Sequence, residues 1–404
     1  MQNAKEHAQR EIATVFRSTG EPTAILNNLR RCSRCALPET HETILFDEEG
    51  VCNVCRQHEY KQSQINWTAR EQELSALIDE YRGKHDYDCI VPFSGGKDST
   101  FTLYELVHRF KVKPLVVTFD HGFLRPTTLE NTDRTIRLLG VDYLKFRPSW
   151  KVVRKLMQES LRRKGDFCWH CHTGIFSYPM HVAVKFKVPL VIWGEPSSEY
   201  TSYYGYDEDE EVDERRFNRF VNLGITADDM LGMLDGDVTM RDLEPFAYPP
   251  VAELRKLHVR SVCLGSYMPW DVKRQYEIIA RELGWKGSPV EGVPAGYEYE
   301  KVECSMQGVR DYLKFIKRGF SRATHLTSID IRNQRMSRDE ARALIEAHEG
   351  QRPASLDLFL EYVGITEDEF NQIAGSHQVS PYVHDAASVR PGDPLWDQPV
   401  WERR

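Results

Sequence analysis

No apolar run in this 404-residue chain approaches the ~20 residues that a membrane-spanning helix needs, so a membrane-embedded protein is not expected. The opening stretch MQNAKEHAQREIATVFRS is charged throughout and lacks the apolar region of a secretory signal, so the expected location is the cytoplasm. An excess of positive charge is missing as well: 53 Lys and Arg stand against 61 Asp and Glu, for a formal net charge of −8. Phosphate backbones are bound by clustered cations, so nucleic acid is not an expected partner, although an acidic chain can carry a local basic groove. No internal repeat is visible, and the G-x-x-x-x-G-K-[ST] loop of kinases and GTPases is absent.

What is present is ordinary for a globular chain of two or three modules, with 41% apolar and 28% charged residues. From residue 87 short apolar runs alternate with amphipathic stretches: YDCIVPF, KPLVVTFD, VDYLKFR and VPLVIWGE as strands, with VRSVCLGSYM as a candidate fifth. Helical patterns fall between them, one of them GIFSYPMHVAVKFK. Strands and helices in this alternation predict an α/β fold with a doubly wound parallel sheet. Its strand C-termini would gather Ser94, Asp120 and Glu195 along one edge, where such sheets bind ligands. The expected organisation is an N-terminal helical extension (1–29), a zinc ribbon (30–62), the sheet domain (63–285), a helical C-terminal domain (286–377) and a Pro-rich extended tail (378–404).

The run Ser94-Gly95-Gly96-Lys97-Asp98-Ser99, followed by Thr100, leaves a strand and enters a helix. Two glycines let the backbone turn tightly, and the helix N-terminus adds partial positive charge, which makes a phosphate cradle. Ser94, Ser99 and Thr100 add hydroxyls, Lys97 a cation and Asp98 a ligand for magnesium. Lys97 and Asp98 are the candidate catalytic pair, while Asp120, Gly194 and Glu195 complete the candidate ATP site. A Gly-Gly turn that merely caps a helix is the plainer alternative. The SGGKDS run resembles the PP-loop of the ATP pyrophosphatase superfamily, in which ATP is cut between the α and β phosphates and an acceptor oxygen is adenylated.

Nine cysteines include three C-x-x-C pairs. Cys32, Cys35, Cys52 and Cys55 have the spacing of a zinc ribbon, whose four thiolates leave no open position and so serve structure. The third pair lies in FCWHCHTGIF, where Cys168 and Cys171, with Cys263 further on, form a possible second metal site. Their placement is similar to that of the tRNA sulfurtransferases that hold an iron–sulfur cluster. The competing expectation is that CWHCH packs beside the sheet as core or as a substrate contact. Cys89 and Cys304 read as small core residues.

Several stretches together resemble the N-acetyl sugar amidotransferases of the WbpG/PseA type, which act in LPS and flagellin glycan biosynthesis. These are CSRCALPET…FDEEGVCNVC, DYDCIVPFSGGKDSTF, CWHCHTGIFSYPMHVAVKF, PLVIWGE, YMPWD and DYLKFIKRGFSRATHLTSIDIRNQRMSRDEA. The resemblance implies that ATP adenylates the N-acetyl oxygen of a nucleotide-linked sugar and ammonia displaces AMP. It implies a separate ammonia source resembling the histidine-biosynthesis glutaminase and cyclase pair, since no glutaminase nucleophile is recognisable here. Arg318, Arg322, His325 and Arg332 become candidate substrate contacts, because Arg forks suit a diphosphate or a carboxylate. A basic helix face that balances acidic neighbours is the alternative. The acidic run at 207–211 departs from the pattern and reads as a solvated loop. Two other functions stay open at this point: a sulfurtransferase built on Cys168, Cys171 and Cys263, and a non-catalytic nucleotide-sensing scaffold.

Overall fold

The computed structural model describes residues 29–200, 204–206, 211–234 and 236–379. Nearly all of the expected N-terminal helical extension, most of the acidic run and nearly all of the Pro-rich tail lie outside them. The chain divides into two compact units. One takes in Tyr60–Pro289 and Glu298–Ser305; the other holds the described residues up to Glu59, Val290–Tyr297 and the chain from Met306.

The first unit is built on one five-stranded sheet: β1 (Cys89–Pro92), β2 (Pro114–Phe119), β3 (Asp142–Phe146), β4 (Leu190–Trp193) and β5 (Arg260–Cys263). The order is β3-β2-β1-β4-β5 and every pairing is parallel, with Ile90 opposite both Leu115 and Val191. Apolar runs without alternation fit strands covered on both faces. β2 and β4 are buried along their whole length, whereas the edge strand β3 exposes Asp142 and Lys145. The chain moves outward from β1 through β2 to β3, then returns to the other side of β1 for β4 and β5. That reversal makes β1 and β4 the switch point, and the crevice past their C-terminal ends is where ligands bind in open α/β sheets.

The helices that follow the strands are α1 (Lys97–His108) after β1, α2 (Pro126–Leu139) after β2 and α3 (Trp150–Lys164) after β3. Left-handed Gly140 and Gly165 stop α2 and α3. Helix α4 (Trp169–Phe186) starts five residues before the expected Gly174, so Cys171 and His172 lie inside it. Two anchors extend it: Asp166 Oδ1 accepts from Cys168 N at 2.7 Å, and Trp169 Nε1 donates to the carbonyls of Asn222 and Ile225. A Cβ on Gly174 would fall within the Phe119 ring, so this glycine lets α4 press against β2.

The second unit joins the four-cysteine segment to helices α5 (Gln307–Arg318), α6 (Arg322–Arg332), α7 (Arg338–His348), α8 (Ser355–Val363) and α9 (Glu367–Ser376). The cysteine segment packs on these helices: Ala36 N donates to Ser328 Oγ at 3.2 Å and Arg338 Nη1 to Ser33 O at 2.6 Å. Ala36, Phe315, Ala323 and Ile345 share one small core. No helix among the described residues is long and apolar enough to cross a membrane.

Candidate functional site

The loop after β1 turns at Gly95, whose φ of +79° is left-handed, and enters α1 with Gly96 as N-cap. A side chain at Gly95 would strike Thr132 Oγ1 and Thr128 Cγ2 on α2, so only glycine fits. Trp285 Nε1 donates to the Gly95 carbonyl at 3.0 Å. Ser94 and Ser99 tie the loop to itself: Ser94 N donates to Ser99 Oγ at 3.2 Å and Gly96 N to Ser94 Oγ at 3.2 Å. The first helical bond runs from Thr100 N to Gly96 O, which leaves the N–H groups of Lys97, Asp98 and Ser99 outside the helical ladder. Such N–H groups, with the helix dipole behind them, favour an anion.

Lys97 is 3% exposed, and its Nζ sits 2.7 Å from both Asp98 Oδ2 and Glu300 Oε1. Asp98 Oδ1 is buried with no hydrogen-bond partner, an oxygen left over for a cation. Burial pushes the Asp98 carboxyl above its ordinary range; the Lys97 ammonium pulls against it and the Glu300 carboxylate adds to it. Glu195, just past β4, is pushed up to about 7 by burial and then by the charge of Asp98. Gly194 brings that strand end close, since a Cβ there would meet Thr102 Oγ1 at 3.0 Å and the Asp98 carbonyl at 3.5 Å. Ser94–Thr100, Gly194 and Glu195 therefore gather at one place.

Sequence reasoning missed the strap that closes this place. Residues 298–305 return along the loop that leads into α2: Ser305 N donates to Phe123 O at 2.9 Å and Thr128 Oγ1 to Val302 O at 2.8 Å. The strap delivers Glu300 to Lys97 and sets Glu303 Oε1 2.7 Å from where a Gly96 Cβ would stand. Lys301, with φ +49°, adds positive potential at Asp98 and Glu195. The acidic run EYEKVE was the only available signal, and it has no helix or strand period.

Asp120 is fully buried at the end of β2. Its Oδ2 accepts from Arg147 at 2.8 and 2.5 Å, and its Oδ1 accepts from Gly122 N at 2.9 Å. Both oxygens are thus engaged. Beside it, His121 is held near pKa 4 by burial, and His170 near 3 by burial and the neighbouring imidazoles.

The four N-terminal cysteines are buried, with Sγ–Sγ distances of 3.9 Å for Cys32–Cys55 and 3.7 Å for Cys35–Cys52. Tetrahedral zinc at ~2.3 Å from each sulfur would put them roughly 3.8 Å apart, so the donor set fits a zinc ion. Backbone N–H groups of Arg34, Cys35 and Cys52 point at Cys32 Sγ, as suits a thiolate. This is the only metal-sized group of His, Cys, Asp or Glu among the described residues. Cys168, Cys171 and Cys263 are not brought into such a group.

Of the basic candidates, Arg318 donates to Thr40 O at 2.6 Å, Arg322 faces Asp311 at 3.2 Å, and Arg332 Nη1 is buried without a partner. The helices that carry them fall within residues 293–385, which match the family described as LPS biosynthesis protein WbpG-like, C-terminal domain. The chain carries a WbpG-like C-terminal domain. An uncharacterized protein of Methanocaldococcus jannaschii is 26% identical over 166 residues, covering 41% of this chain and 58% of that protein. Within the WbpG-like domain, burial pushes His325 far below the usual imidazole range, helped by Arg322, Lys314 and Arg332. Glu349 caps the start of α6 by accepting from the backbone of Ser321 and Thr324, both at 2.8 Å.

Proposed function

We propose that the chain is an ATP-dependent, AMP-forming amidotransferase that turns the N-acetyl group of a nucleotide-linked sugar into an acetamidino group. The observation that carries this reading is the loop Ser94–Thr100: a glycine-built turn at the switch point of a parallel sheet, with helix N–H groups, Lys97 and a partnerless Asp98 oxygen together. The WbpG-like domain supports the choice of acceptor.

An amide carbonyl is a poor electrophile, and its oxygen leaves readily only as a phosphate ester. In the proposed reaction the amide oxygen attacks the α-phosphorus of ATP, and the bond to pyrophosphate breaks. Ammonia adds to the resulting imidate carbon. AMP then leaves with the former amide oxygen, and a proton is released. The protein's share is positioning and charge neutralisation. The first turn of α1 and Lys97 hold the departing pyrophosphate, and Glu300 fixes the Lys97 ammonium until it is needed there. Asp98 would hold magnesium, whose charge would offset that of the phosphates. Glu195, whose carboxyl is pushed up to about 7, would exchange the proton of the amine or imidate. The four cysteines would hold a structural zinc, and ammonia would come from a separate glutaminase partner.

The test is pyrophosphate release with ATP, ammonium and a panel of nucleotide-linked N-acetyl sugars, with products weighed by mass spectrometry. The expected product differs from its substrate by NH in place of O. Sulfur gained by a tRNA, with no sugar turned over, would sink the reading.

A further inference from the structure

Lys97 is the cation that the proposed reaction needs against a departing phosphate, yet in this structure it is shut away from solvent. It is 3% exposed, and its Nζ is held at 2.7 Å by Asp98 on its own helix and by Glu300 on the strap. Glu300 is buried as well, so the pair is closed off together. A second carboxylate of the strap reaches the turn. Glu303 Oε1 stands 2.7 Å and its Cδ 2.9 Å from where a Gly96 Cβ would be, with Ser94 Oγ 3.2 Å from the same point. Gly96 caps the helix whose first N–H groups lie outside the ladder, the end that a helix offers to negative charge. One carboxylate thus sits on the cation of the loop and another at its backbone turn, the two features of the cradle that suit phosphate.

The strap's main chain is pinned along its length. Ser288 N donates to Glu298 O at 2.7 Å, Thr128 Oγ1 to Val302 O at 2.8 Å, and Ser305 N to Phe123 O at 2.9 Å. Between these pins Lys301 takes φ +49°, a left-handed conformation that a residue with a Cβ adopts only at a cost. Glu300 comes just before that turn and Glu303 just after it, and both carboxylates arrive at one loop. Because the pins hold the backbone, the two glutamate side chains are the parts that can turn aside, by changing rotamer.

We propose that the strap is an internal ligand of the phosphate loop: the carboxylates of Glu300 and Glu303 stand in for phosphates of the nucleotide and turn aside when it binds. The empty loop is self-occupied, and ATP displaces two anions of the chain before Lys97 serves it. The placeholder keeps the ammonium in position and spares it an unpaired state in a buried site. It also selects among ligands, since only one with enough negative charge competes with two carboxylates. A triphosphate has that charge, and a nucleoside has none. The inference rests on the reading of Ser94–Thr100 as a nucleotide loop.

The experiment is calorimetric titration of the full chain and its variants with ATP and no acceptor, first without magnesium and then with magnesium in excess. Glu300→Gln should tighten ATP binding about tenfold, because the nucleotide no longer has to break a charge-assisted bond to Lys97. Glu303→Gln should tighten it about threefold, the size of a carboxylate's interaction with a helix N-terminus. Misfolding cannot produce such gains. Glu298, which packs beside Gly287, supplies the charge control. Glu298→Gln removes the same charge from the same strap and should change affinity less than about twofold. Affinities unchanged in Glu300→Gln and Glu303→Gln would overturn the placeholder, as would weakening seen only with magnesium, which would make the two carboxylates metal ligands. Equal tightening in all three variants would reduce the effect to net charge and overturn it too. Tightening as expected, with no sugar turned over, would leave the placeholder standing and remove the amidotransferase. No ATP binding by any of these proteins would remove the nucleotide loop and the placeholder with it.

Discussion

Replacing Lys97 by methionine tests whether its ammonium holds two buried carboxylates together. Lys97 and Glu300 are 3% and 2% exposed, and Asp98 and Glu300 each stand 2.7 Å from the same nitrogen. Without it the two acids face each other in a low-dielectric pocket, and one must take a proton. Protonating an ordinary Glu carboxyl at pH 7 costs roughly 3.5–4 kcal/mol, which caps the loss near the ~3–5 kcal/mol known for broken buried pairs. Glu300→Gln leaves Lys97 its bond to Asp98 and should cost only about 1 kcal/mol. The double variant has a single carboxylate to accommodate and should lose about 1–2 kcal/mol, so the coupling energy is roughly 3 kcal/mol. The pH dependence has a definite sign. In Lys97→Met the acids bind a proton more tightly folded than unfolded, so the loss is complete at high pH and fades as pH falls towards the ordinary carboxyl range. Between pH 8 and pH 5 it should shrink by more than about 2 kcal/mol. Urea unfolding followed by circular dichroism across that range measures all three variants. Additive losses, or a Lys97→Met loss independent of pH, would refute the shared-cation picture.

Elemental analysis should find one zinc per chain, and Cys52→Ala should lose it together with several kcal/mol of stability in the unit that docks Ala36 on Ser328, as binding energies of about 10 kcal/mol or more are usual for structural zinc. Gly174→Ala places a methyl inside the Phe119 ring and should destabilise by about 2–4 kcal/mol in thermal melts, with no change in metal content. Glu195 titrates near 7 in the fold, above its ordinary value, so stability should fall as pH rises from about 4.5 to 7; Glu195→Gln should flatten that stretch by roughly 2–3 kcal/mol. Cys171→Ser should keep zinc content and pyrophosphate release intact, whereas a lost iron signal would revive the sulfur-transfer chemistry.

The sheet was legible because its strands announce themselves twice, by unbroken apolar runs and by polar residues where those runs end. Ser94, Asp120 and Glu195 were placed at one edge by topology alone; the structure brings the loop of Ser94 and the strand end of Glu195 together, while Asp120 is engaged by Arg147 and Gly122. The start of α4 was not legible: CWHCH has no apolar period, and Trp169 is anchored by Asn222 and Ile225, more than fifty positions away. Glu300 and Glu303 escaped for the same reason, since an irregular strap arrives at the phosphate loop from some two hundred residues downstream. Arg318, Arg322 and Arg332 could be named by type, yet nothing in the sequence pairs Arg318 with Thr40 and Glu42, because that pairing depends on how the cysteine segment folds against α5.

These misses share a cause, and it bears on function. Local pattern reports what a residue does for its own element; it is silent on charges that only distant segments can supply. Lys97 sits among Asp98 and Glu300, and Lys314 and Arg318 share Glu42, so in both places a carboxylate from elsewhere in the chain occupies cations that phosphate would otherwise attract. A carboxylate in that position limits the desolvation cost of the empty site, and a phosphate must then outbid it by its greater charge. The same arrangement explains why the net acidity of the chain is compatible with the phosphate chemistry proposed for the loop: Lys97 is a single local cation held by Asp98 and Glu300, acids from which a phosphate would have to take it.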